Sequence, residues 1–186
     1  MKRLVLVLFS LAIFSCDDTS TAGNSSTISC DELYSDLELP SFYLQDLNPT
    51  SGTYNQFIQP QDFDGRIRLF YFTSNENWGL CLSRFASLNT LYNEYKDSAT
   101  LNDIIVIGIG RDNDESTDQI TSNNDLPWLK DNSSEFGQVW SNWNVSNRDL
   151  IFFNKQGEYK YKLNLTSQFN TDEINSIIDC LDWNAK

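Results

Sequence analysis

The run "DIIVIGIG", residues 103–110, limits this chain more than any other stretch. It is apolar, rich in β-branched residues and free of polar alternation, so a strand built from it has no face to give to water. Such a strand has to lie inside a sheet covered on both sides, which points to an α/β domain with parallel pairing at its centre. "RIRLFYFT", residues 66–73, is a second strand, β-rich and mostly apolar toward its end.

The polar loop "SNEN" follows that second strand, and then Trp78, Cys81, Phe85, Leu88, Tyr92 and Tyr95 step by three or four. This spacing predicts one apolar helical stripe, with Ser74 or Asn77 as N-cap. "SSEFGQVWSNW" sets Phe136, Val139, Trp140 and Trp143 at helical spacing around an unfavourable Gly137. "DLIFFN" and "EYKYKLNL" read as an antiparallel pair around the turn Lys155-Gln156-Gly157. Tyr159, Tyr161, Leu163 and Leu165 then share a buried face opposite Lys160, Lys162 and Asn164. Last, "NTDEINSIIDCLDW" carries a capping-box pattern, Asn170 with Glu173, ahead of a stripe of Ile174, Ile177, Ile178 and Leu181. The order strand, helix, strand, helix, strand, strand, helix implies a three-layer α/β domain: a mixed central sheet flanked by helices.

The amino terminus has its own logic. Lys2 and Arg3 precede an apolar run from Leu4 to Phe14, too short to span a bilayer, and Ser15 leads to Cys16. The ending Ala12-Ile13-Phe14-Ser15-Cys16 resembles the lipobox of bacterial lipoproteins, which implies a signal peptide over 1–15 and acyl chains on Cys16. An ordinary secretory signal with an incidental Cys16 is the rival reading. "DDTSTAGNSST" after the cysteine is small and polar, so 16–28 is expected to be a lipidated tether and 29–186 the domain. The expected location is the bacterial cell envelope, with the lipid bilayer as a partner through Cys16.

Charge and composition remove several functions. The net charge is −13, and every acidic residue lies beyond Cys16, so the chain offers no basic footprint for nucleic acid. There is no histidine, which excludes a Ser-His-Asp triad, a Cys-His dyad and histidine metal ligation. No cofactor is implied. Asp112, Asp114, Ser116 and Asp118 alternate like the start of a calcium loop. Thr117 stands where that loop needs Gly and Asn123 where it needs Glu, so a solvated acidic loop is expected and no metal site.

The element order is similar to that of thioredoxin-like proteins, with Cys81 after the first central strand. Residues 29–182 resemble the N-terminal thioredoxin-like domain of selenoprotein P, through "LFYFTSNENWGLCLSRFASLNTLYNEYKD", "IIVIGIG", "LPWLKDNSSEFGQVWSNWNVSNRDLIFFNKQGEYKYKL" and "INSIIDCLDW". In that family the redox motif is selenocysteine or cysteine two residues before a cysteine. The resemblance places Cys81 at its second position and Trp78 at its first, so the principal nucleophile is absent. It also implies a cysteine before the first strand and one in the last helix, here Cys30 and Cys180. A cis-proline usual before the facing strand is missing from "VSNRDL".

Three cysteines remain beyond Cys16, an odd number. A Cys30–Cys180 bridge is the preferred pairing, with Cys81 joined to one of them as the rival. Two functions follow. Either the domain is a non-catalytic binding module, with Trp78 on its surface and Cys81 a buried hydrophobe, or Cys81 is the sole thiol of an oxidoreductase or peroxidase acting on a protein thiol or disulfide partner. The only cation that the sequence places near Cys81 is Arg84.

Overall fold

A computed structural model describes residues 28–183, apart from 34, 36–37, 75–76, 98–102, 112–115 and 133–136. In chain order the elements are β1 (Leu44–Gln45), β2 (Phe57–Ile58), β3 (Ile67–Thr73), α1 (Gly79–Lys96), β4 (Ile104–Gly110) and the one-turn α2 (Asp118–Thr121). They continue with β5 (Trp128–Lys130), the one-turn α3 (Val139–Asn142), β6 (Asp149–Phe153), β7 (Tyr159–Asn164) and α4 (Thr171–Trp183). β1 and β2 form a small antiparallel pair, and the other strands form one sheet in the order β5-β4-β3-β6-β7. β3 runs parallel to β4, from Ile67 opposite Ile104 to Thr73 opposite Gly110, and β4 runs parallel to β5. β6 and β7 add antiparallel to the other side of β3. β3 and β4 are buried along their whole length, which is why neither shows polar alternation.

Alternation along β3 divides the core. Leu69 and Tyr71 join Val106, Leu150 and Phe152 against Phe85 and Leu88 of α1 and Ile174 and Ile178 of α4. Phe70 and Phe72 point the other way, with Ile107, Ile151 and Phe153, and meet Phe42, Leu44, Ile58, Val139 and Trp143. One face of the sheet is therefore covered by two helices. The other is covered by the β1–β2 pair, α3 and the aromatic side chains they carry, where the sequence suggested a longer helix.

Gln138 explains that difference. It is the N-cap of α3 in the left-handed region, φ 59°, so the helix cannot extend back through it. The carbonyl of Asn132 fills the space that a Cβ on Gly137 would need. Phe136 lies outside the described residues. The strand β5, absent from the expected order, is too short for a periodic signal. Two further expectations need correction. α1 is capped by Trp78 without a side-chain bond, and neither Ser74 nor Asn77 is its cap. A register shift between Phe152 and Phe153 turns Tyr159 toward the aromatic face, while Tyr161 and Leu163 stay on the helical one. For α4, the backbone N–H of Glu173 does donate to Asn170 Oδ1 at 3.3 Å.

Two anchors hold the N-terminal segment. Cys30, in a short 3-10 turn, is bonded to Cys180 of α4 across 150 residues of sequence, with Cα atoms 5.2 Å apart. Farther on, the buried Asp46 carboxylate accepts N–H bonds from Asn48 (2.9 Å) and Trp128 (3.0 Å), and hydroxyl bonds from Thr53 (2.8 Å) and Ser51. Asn48 Nδ2 donates to the carbonyls of Asn124 (2.6 Å) and Leu126 (2.7 Å). These bonds fasten the segment around β1 to β5.

Candidate functional site

The site lies where β3 hands over to α1. Thr73 ends the strand, Trp78 has extended backbone, and α1 opens at Gly79. Cys81 is therefore in the first turn of the helix, on the side facing the sheet, and it is fully buried. Trp78 leaves the stripe on which its spacing placed it and is 52% exposed. Tyr71, reaching up from β3, donates its hydroxyl to the Cys81 carbonyl at 3.4 Å. Burial first, and then Cys81, push the Tyr71 phenol well above its ordinary range, against the smaller opposing pulls of Arg148 and Arg84. Tyr71 is thus a neutral donor that holds the start of the helix.

The cation beside the thiol is Arg148, and Arg84 instead donates to the Leu165 carbonyl at 2.9 Å. Arg148 sits one residue before β6, in the left-handed region at φ 68°. Its backbone is fixed at both ends: its N–H donates to the Phe72 carbonyl at 2.7 Å, and its carbonyl accepts from Leu165 at 2.8 Å. Its guanidinium donates through Nε to Thr166 Oγ1 at 3.1 Å and directs a terminal nitrogen at Cys81 Sγ, 3.6 Å away. The same group stacks over the Trp78 ring, 5.1 Å from its centroid. Asn147 Oδ1 accepts from the Ser74 backbone at 3.0 Å and from the Cys81 thiol at 4.0 Å.

The sulfur is therefore roofed by Arg148, and Arg148 is in turn flanked by Trp78. A reagent or a partner's thiol reaches Cys81 only if that roof moves. Cys30 and Cys180 are bonded to each other, so neither is a second thiol for Cys81. No peptide bond among the described residues is cis, and Arg148 occupies the stretch in which a cis-proline was sought. Arg148 is separated from Cys81 by 67 residues, so no local pattern in the sequence couples the two. Its position just before the strand facing Cys81 was the available signal.

Cys16 lies outside the described residues, as do Asp112 and Asp114 of the acidic loop. Ser116 accepts the Asp118 N–H at 3.2 Å, at the start of α2. Among the described residues, no three His, Cys, Asp or Glu side chains cluster as a metal site.

No family model matches the chain, and no curated protein matches its sequence. Solved structures do match its fold. A reduced 2-Cys peroxiredoxin from Plasmodium vivax is similar with a TM-score of 0.61 and 18% identity, over 80% of this chain and 96% of that one. The thioredoxin domain of a Bacteroides vulgatus thiol-disulfide oxidoreductase has a TM-score of 0.59 and 14% identity, over 83% and 99%. A secreted Mycobacterium tuberculosis disulfide oxidoreductase has a TM-score of 0.54 and 14% identity, over 76% and 95%. The fold is thioredoxin-like.

Proposed function

We propose that this chain is an envelope lipoprotein whose thioredoxin-like domain binds a partner and does not turn over a thiol substrate. The observation that carries this reading is the roof over Cys81: a fully buried sulfur under Arg148, with Trp78 at the position where the selenoprotein P resemblance would place the first redox atom. The exposed side of Trp78 is the proposed contact surface. Anchoring is assigned to acyl chains on Cys16 and the location to the extracytoplasmic side of the envelope. No helix among the described residues is long and apolar enough to cross a membrane.

A second reading has one observation in its favour, the guanidinium directed at the sulfur, and draws on the thiol chemistry of the fold neighbours. In it, Cys81 acts alone as the thiol of an oxidoreductase or peroxidase. Alkylation of the native, non-reduced chain separates the two. The binding reading expects Cys81 to stay unlabelled until denaturant is added and neither a disulfide nor a peroxide to be reduced. Rapid labelling of the native protein, with turnover lost in Cys81→Ser, would replace it with the redox reading. Loss of a metabolically incorporated acyl label in Cys16→Ala tests the anchor.

A further inference from the structure

The sheet reverses its direction of growth at β3: β4 and β5 are added on one side, β6 and β7 on the other. In open α/β sheets the crevice outside the carboxyl ends of the strands at such a reversal is where ligands settle. This chain has a cleft of about 510 Å³ there. Its wall takes Ser74 from the end of β3, Arg111 from the end of β4, Asp131 from the end of β5, and Ser146 and Asn147 from just before β6. Trp140 of α3 closes the remaining side. That size is typical of sites for small molecules.

The chemistry of the wall selects the ligand. Arg111 is exposed and is the only cation among the described residues of the lining, with its guanidinium over the Trp140 ring at 5.7 Å. Asp131, the only acid among the described residues of the lining, is buried, and its two oxygens accept the backbone N–H groups of Asn132 (2.9 Å) and Trp140 (3.0 Å). Asn147 accepts through Oδ1 from Ser74, which leaves its NH2 side as donor. The Trp140 indole N–H is buried and has no acceptor among the described residues, although the residue as a whole is half-buried and lines the cleft. Among the described residues the wall therefore offers donors and one planar cation.

We infer that this cleft is a binding site for small carboxylic acids, with Arg111 pairing with the carboxylate and the hydroxyl and amide groups of the wall completing its coordination. This goes beyond the partner surface at Trp78 and does not depend on it. The test uses the full ¹⁵N-labelled chain in detergent, with the Trp140 indole signal assigned through Trp140→Phe, and succinate as the probe. Succinate is expected to shift that signal saturably, and the uncharged succinamide to bind at least about tenfold more weakly. Arg111→Gln is expected to lose at least about tenfold in succinate affinity with its other indole signals in place, Arg111→Lys to lose less, and Trp78→Ala to bind as before. Absence of any shift with succinate, glutarate or benzoate up to about 20 mM overturns the inference. So does binding that survives in Arg111→Gln, or binding of inorganic phosphate in preference to every carboxylate. A Trp78→Ala chain that keeps succinate binding but loses its partner separates this site from the surface reading.

Discussion

The two faces of the sheet are held by different means. On the helical face, α1 and α4 lay regular apolar stripes over Leu69, Tyr71 and Phe152, and Cys30–Cys180 ties the start of the domain to α4. On the aromatic face, among the described residues, there are two short helical turns, α3 and the 3-10 turn Pro60–Phe63, and a two-residue strand pair. There Trp143 meets Phe42, Phe70, Phe72 and Phe153 with ring centroids 5.3–5.8 Å apart. Repetitive structure satisfies its own backbone, so the helical layer needs few specific polar contacts. The irregular layer has to be pinned one group at a time, and the Asp46 carboxylate with its four donors is the main pin. Single polar substitutions should therefore weigh more on the aromatic face than on the helical one.

The largest expected effect lies on the helical side and is covalent. Replacing Cys30 and Cys180 together by Ala opens a loop of 150 residues and should lower stability by roughly 5 kcal/mol in the chain-entropy account, read from urea midpoints. A loss below about 1 kcal/mol would mean that noncovalent packing alone holds the N-terminal segment. Next comes Asp46→Ala, which strips four donors, three of them on buried residues, of their acceptor and should cost about 3–5 kcal/mol. Amide exchange sharpens this case: β1, β2 and β5 should exchange faster while the middle of α1 stays protected. Equal acceleration in α1 would show the two faces to be one cooperative unit and end the distinction.

A smaller change should go the other way. Gln138→Gly removes the cost of a side chain at φ 59° and is expected to raise stability by about 0.5–1 kcal/mol. Thermal unfolding that is unchanged or earlier would place the restriction on α3 elsewhere. The mildest test is alkaline. Burial, then Asp179 and Glu94, push the Tyr95 phenol up to about 12 from an ordinary value near 10. Because the folded value is the higher one, this contribution is complete below pH 10 and is lost as pH rises toward 12. Tyr95→Phe should flatten the fall in stability across that window, and an unchanged slope would exclude Tyr95 as its source.

The same contrast decides what the sequence revealed. β3, β4, β6, β7, α1 and α4 were legible because their signals are local: unbroken apolar runs, three-to-four spacing, an Asn170 cap. β5 was not, since three residues after Pro127 carry no period. Tyr159 was misplaced by a bulge, which is a property of the pairing and leaves no mark in the alternation. At the site, Cys81 was readable from its stripe, and its burial agrees with that stripe. Trp78 on the same spacing was not, because the helix begins only at Gly79 and the spacing has no meaning before it. Arg148 and Asp46 act across 67 and 82 residues of sequence, and no local pattern announces either contact.

The bond between Cys30 and Cys180 also changes the topology of the molecule under attack. Everything from the 3-10 turn at Cys30 to Cys180 in α4 becomes a covalent ring. A protease that cuts once inside that ring opens it and releases nothing. The nicked protein keeps its mass and its attachment to whatever precedes Cys30, and it falls into two pieces only after reduction. A single cut inside the ring would therefore escape notice until the disulfide is reduced, and in an oxidising setting it would not shed the domain.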